Sequence, residues 1–95
     1  MAYYGIFDVE VTDQALYDTY KAGTAASIEA AGGRYLVRGG ETELLEGSPS
    51  PYRIIILEFP TKAAFDAWYY GEEYAKTLPI RLKSARTRAF SVAGI

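Results

Sequence analysis

One stretch of eight residues, Tyr52 to Phe59, limits the folds open to this chain more than any other. In extended backbone, Arg53, Ile55, Leu57 and Phe59 point one way, while Tyr52, Ile54, Ile56 and Glu58 point the other. Both sets are largely apolar, which predicts a central strand covered on both faces. A chain of 95 residues has helices enough to cover one face of a small sheet. The other face needs a different cover, and a second copy of the same sheet is the economical one. A chain this short also buries only about 60–70% of the surface its unfolded form exposes, so pairing would thicken a thin core. The expectation is a homodimer joined by sheet-to-sheet packing.

The flanking segments fill in the order of elements. Tyr3 to Val11 alternates with period two, placing Gly5, Phe7, Val9 and Val11 on one face. Thr12 or Asp13 can cap a helix whose apolar stripe is Leu16, Tyr20, Thr24 and Ile28, and Gly32-Gly33 stops it. Arg34 to Arg38 reads as a second strand, interrupted at Gly39-Gly40 and continued or bent through Glu41 to Glu46. Gly47-Ser48-Pro49-Ser50-Pro51 is loop by composition. After the central strand, Thr61 caps a helix with Ala64, Phe65, Trp68 and Tyr69 on its buried stripe. Gly71 ends that helix, a helical stretch from Glu72 to Ala85 is kinked or restarted at Pro79, and Thr87 to Val92 forms the last strand. Strand, helix, strand, strand, helix, strand is the order of a ferredoxin-like split βαβ domain. It is an α+β fold with an antiparallel sheet and both helices on one face. No linker or second domain is visible, so residues 1–95 read as one domain.

The composition narrows function mainly by exclusion. Cysteine and histidine are both absent, removing disulfides, thiolate ligation and the commonest general base and metal ligand. No close Asp/Glu spacing recommends a metal, and no phosphate-binding or dinucleotide-binding glycine motif is present. No cofactor is therefore expected. A net charge of −2 gives no global attraction for nucleic acid. After Tyr74, Lys76, Arg81, Lys83, Arg86 and Arg88 follow with no acidic residue among them, which reads as a solvated helix face running into an edge strand or, alternatively, as an anion pocket built from one or two of these residues. No apolar run reaches the ~20 residues of a membrane span, and no leader pattern stands at Met1 to Asp8, so the expectation is a cytoplasmic protein away from membranes.

Several strings are familiar as a set. Arg38-Gly39-Gly40, Glu43-Leu44-Leu45-Glu46-Gly47, Ile56-Leu57-Glu58-Phe59-Pro60, Ala67-Trp68-Tyr69, Glu73-Tyr74 and Arg81 occur in order over nearly the whole chain. In this the chain resembles the domain-of-unknown-function 1330 family. That resemblance implies the dimeric α/β-barrel architecture, in which two ferredoxin-like sheets pack face to face, and it implies no particular reaction. Gly71-Glu72 stands where the family often has Ser-Pro, so the entry to the following helix is expected to differ in shape.

The residues that could carry chemistry are few. Glu58 is a carboxylate on a face expected to be covered, so it needs either a cationic partner or a raised pKa suited to proton transfer. Arg38, beside two glycines, can grip a carboxylate with its planar fork, or else pair with Glu46 or Glu58. Arg81 is a second candidate anion anchor. Trp68 offers an aromatic wall or simple packing, and Tyr17, Tyr20 and Tyr74 offer phenolic donors. Two functions follow. In one, a small, anionic or aromatic organic compound is bound, and is turned over if Glu58 moves a proton. In the other, a non-catalytic dimeric module has these polar groups paired with one another and no cavity between them.

Overall fold

The computed structural model describes residues 1–95. Eight elements follow one another: β1 (Tyr3–Val11), α1 (Gln14–Ala30), β2 (Arg34–Arg38), β3 (Ile54–Phe59), α2 (Lys62–Tyr69), α3 (Glu72–Ala75), α4 (Leu78–Ser84) and β4 (Ala85–Ala93). The strands form one antiparallel sheet in the order β2-β3-β1-β4. This is the ferredoxin-like arrangement expected from the pattern, with β3 and β1 central.

The helices cover one face. Phe7 and Val9 of β1 and Leu57 and Phe59 of β3 are buried there with Tyr17, Tyr20 and Ile28 of α1 and Phe65 and Trp68 of α2. The opposite face carries Ile6, Ile54 and Ile56, each half-buried, beside exposed Leu36, Phe90 and Val92. Both faces of β3 are thus apolar, while only one is covered by this chain.

Local chemistry sets the helix ends. The Asp13 carboxylate accepts the Leu16 amide at 3.1 Å, and the Thr61 hydroxyl accepts that of Ala64 at 3.1 Å, satisfying donors that the first turn leaves free. Gly32, at φ +86°, turns the chain out of α1, and the Gly33 amide closes on the Ile28 carbonyl at 2.9 Å. Pro79 sits in the first turn of α4, where its missing N–H costs nothing. The helical region after Gly71 is two short helices, the second restarting at Pro79 as one of the two sequence alternatives had it.

Four features differ from the sequence reading, the first being that the central strand starts at Ile54 rather than Tyr52. The buried stripe of α1 is Tyr17, Tyr20, Thr24, Ser27 and Ile28, with Leu16 at its margin. A strict four-residue repeat drifts by about 40° per step on a helix of 3.6 residues per turn, so the stripe needs steps of three as well. Glu41 to Glu46 joins no strand: pairing ends at Arg38, and residues 40–53 form a loop tied back by the Tyr52 amide, which donates to the Asp8 carboxylate at 2.8 Å. The last strand starts at Ala85 and pairs along all of β1. No helix is long and apolar enough to cross a membrane.

Candidate functional site

A cavity opens between α1 and the helix-covered face of the sheet. Phe7 and Val9 of β1, Ile55 and Leu57 of β3 and Tyr35 of β2 line it from below. Tyr17, Tyr20, Thr24 and Ile28 line it from α1, and Trp68 of α2 closes one side. Four cationic side chains reach it: Lys21, Arg38, Arg53 and Arg81. Its free interior is about 30 Å³, room for one or two waters. Anything larger would require the long chains at the mouth to change rotamer, as side chains commonly do on binding.

The electrostatics of this space are one-sided. Lys21 is shared with Asp18 at 3.3 Å, but Arg38, Arg53 and Arg81 make no ion pair, and no carboxylate lines the cavity. Arg81 is the extreme case. It is 4% exposed, and its Nε–H has no acceptor, as is also true of Arg53. Its guanidinium lies 5.7 Å from the centre of the Phe7 ring. Burial works against its charge, but the Tyr74 and Tyr20 oxygens more than offset this and raise its pKa, so it stays cationic. A buried cation without an anion is an expensive thing to fold.

The phenols around it are neutral, and toward the guanidinium their oxygens can only accept. Tyr20 and Tyr74 share a hydrogen bond at 2.7 Å. Burial raises both hydroxyls above the ordinary tyrosine value, with Arg81 pulling part of the way back. Burial likewise raises Tyr35. Tyr74 is 0% exposed and lies behind the wall rather than in it, where its hydroxyl holds that of Tyr20 and faces the Arg81 guanidinium. Trp68 is tied by its indole N–H to the Ser27 hydroxyl at 3.0 Å and packs 4.3 Å from the Tyr74 ring and 5.5 Å from that of Phe59.

Arg38 reaches the cavity because β2 is irregular. Tyr35 pairs with Leu57 and Arg38 with Ile55, so the two face the helices together although three residues apart; a bulge at Leu36–Val37 absorbs the extra residue. In regular alternation Arg38 would face the other way. Such bulges re-aim side chains near sites. The Arg38 guanidinium leans over the Tyr35 ring at 4.4 Å. Just beyond, Gly39 at φ +71° leaves the space that the Arg53 guanidinium occupies, and any Cβ there would collide with it.

Of the residues singled out in the sequence, Arg38, Trp68, Tyr17 and Arg81 come together at this cavity, with Tyr74 one layer behind. Glu58 does not join them. It lies on the open face of the sheet, opposite Arg34, whose Nε–H donates to its Oε1 at 2.7 Å. The cationic partner it needed is this arginine, and proton transfer to a ligand in the cavity is out of its reach. Neither proposed pairing of Arg38, with Glu46 or with Glu58, is formed. Arg53 joins the others at the cavity, on the side where its alternation with Ile55 and Leu57 had put it.

The sequence matches, over residues 2–95, the family described as a domain of unknown function (DUF1330). No curated protein matches it. Among solved structures it is similar to a protein of unknown function from Rhodopseudomonas palustris, with a TM-score of 0.80 and 18% identity, covering 99% of this chain and 82% of that one. It is also similar to a dimeric ferredoxin-like protein of unknown function from Jannaschia sp. CCS1, with a TM-score of 0.67 and 16% identity over 99% of this chain and 100% of that one. At such identities the likeness is one of fold.

Proposed function

The chain belongs to the DUF1330 family, and from that premise we propose that it is a binding protein for a small organic anion, held between α1 and the sheet with Arg81 as the inner anchor. One observation carries this reading: Arg81 is almost wholly buried, with an unsatisfied Nε–H and no carboxylate partner, in a cavity that two further unpaired arginines also reach. Planar guanidinium forks match carboxylate geometry. The apolar surface of Trp68, Ile55 and Leu57 suits the rest of an organic acid. Binding fits this lining better than catalysis, since it contains neither carboxylate nor histidine to act as a base near neutral pH. The non-catalytic module reading required paired polar groups and no cavity, and the free arginines weigh against it.

The test is thermal denaturation with added ligand. Short carboxylates are expected to raise the melting temperature, while their neutral amides and equal ionic strengths of chloride leave it unchanged. At a hundred times its dissociation constant a ligand adds about 2.7 kcal/mol, a rise of about ten degrees or more in a chain of this size. Equal responses to acids and amides would overturn the reading.

We further infer that the protein works as a homodimer through the open sheet face. Ile6, Ile54, Ile56, Leu36, Phe90 and Val92 make a contiguous apolar surface of the kind that marks an interaction site. A structurally similar protein is described as dimeric. Ile56→Arg puts a charge at the centre of that face and is expected to turn a dimer into a monomer by light scattering; an unchanged mass would place the interface elsewhere.

A further inference from the structure

We propose that the cavity takes a linear dianion, with one acid group at Arg81 and the other at Arg38, and that it discriminates against monoanions and compact oxyanions. This rests on the anion-site reading above and adds to it the number and spacing of the charges.

The number comes from the charge balance. Three guanidiniums without a carboxylate share one space. A monoanion at Arg81 leaves two of them uncompensated, whereas a second acid group at Arg38 leaves one.

The spacing comes from the register. Arg38, Ile55 and Phe7 form one row across β2, β3 and β1 on the helix-covered face. Neighbouring strands lie about 4.8 Å apart, so the ends of the row are separated by about 10 Å of backbone. Each guanidinium is held at its own end of this row. That of Arg38 leans back along β2 onto Tyr35, and that of Arg81 sits over Phe7. Between them lie Ile55 and Leu57, which are apolar, with Arg53 entering from the end of β3 beside Gly39. A compact oxyanion such as phosphate cannot touch both ends. Two acid groups joined by a short hydrocarbon can.

Depth gives the two ends different roles. Arg81 is 4% exposed, whereas Arg38 is exposed at the mouth. The inner acid group is therefore desolvated and must be small, in keeping with the tight interior. The outer one stays wet and needs no room inside. The ligand class is a short aliphatic or unsaturated dicarboxylate.

The experiment is calorimetric titration of the full chain with succinate, glutarate and adipate, each beside the monocarboxylate of equal chain length, and with inorganic phosphate. The best dicarboxylate is expected to bind at least about tenfold tighter than its monocarboxylate, the worth of one extra charged hydrogen-bonding pair. In Arg38→Gln, an exposed substitution that leaves the core untouched, that ratio should fall towards one. Equal binding of mono- and dicarboxylates would overturn the inference, as would phosphate outcompeting every dicarboxylate or a preference that survives Arg38→Gln. Monocarboxylate binding without a dicarboxylate preference would sink this inference alone. Failure of every acid to bind would also remove the anion-site reading beneath it.

Discussion

Arg81→Met is expected to raise the melting temperature of the ligand-free protein and at the same time to abolish its response to carboxylates. The first effect follows from the cost of burying an unpaired charge. Taking a guanidinium out of water costs several kcal/mol, even after relaxation. Against that stand the Phe7 ring at 5.7 Å and the oxygens of Tyr20 and Tyr74. A desolvated cation–π contact contributes about 2 kcal/mol, and the phenols are neutral dipoles rather than counter-charges. Methionine is long, unbranched and adaptable, so it fills the same path without a cavity. Replacing buried charges with apolar residues of similar volume is commonly neutral or stabilising by about 1–4 kcal/mol, and at about 4–8 °C per kcal/mol the gain is readily measured by calorimetry. Arg81→Lys keeps the charge but loses the fork, and should respond to carboxylates only weakly. A stability–function trade-off of this kind marks a group retained for binding. If Arg81→Met melted lower than the wild type, the guanidinium would be a structural element and the binding reading would lose its main support.

Trp68→Ala is expected to cost about 3–5 kcal/mol, as truncation of a large buried aromatic does. The total stability of a chain this size is about 5–14 kcal/mol, so the variant should melt about 15 °C or more below the wild type. Trp68 is 3% exposed and sits at the junction of both helices and the sheet, against Phe59, Phe65, Phe7 and Tyr74. Its removal leaves a void continuous with the cavity and frees the Ser27 hydroxyl of its donor. Trp68→Phe keeps much of the packing and loses only that hydrogen bond and part of the volume, so it should fall between. A loss of under 1 kcal/mol in the alanine variant, measured by denaturant titration, would show that the aromatic cluster is not the centre of the core.

The sheet was legible in the sequence because period two is robust. Alternation in Tyr3–Val11 and Tyr52–Phe59 places Phe7, Val9, Leu57 and Phe59 on one face, and they are the buried ones. The helix cap at Thr61 was legible for a similarly local reason, and that of α1 down to a choice between Thr12 and Asp13. Register is a different kind of information. Which arginine meets Glu58 depends on how β2 slides against β3, and Arg34 stands there only because of that alignment. The bulge at Leu36–Val37 has no signature in the side chains themselves, yet it decides that Arg38 joins the cavity instead of the open face. Tyr74 was read as a donor to ligand because its hydroxyl needed a partner. That partner is Tyr20, a residue 54 positions away that only the packing of α3 against α1 brings near. The candidate site was therefore readable as a set of residue types, and its division into cavity, supporting layer and open face was not.

Whether the Arg81 guanidinium meets an anion is reported directly by the side-chain Nε–H resonance of that residue. In a 15N-labelled sample titrated with glutarate, the Arg81 Nε–H signal, assigned through Arg81→Met, is predicted to shift saturably and to exchange more slowly with water. The signals of Arg86 and Arg88, exposed on β4, should stay where they are. An Arg81 signal that does not move, or one that moves only in step with Arg86 and Arg88, would contradict the claim that this buried arginine is the anchor of an anion site.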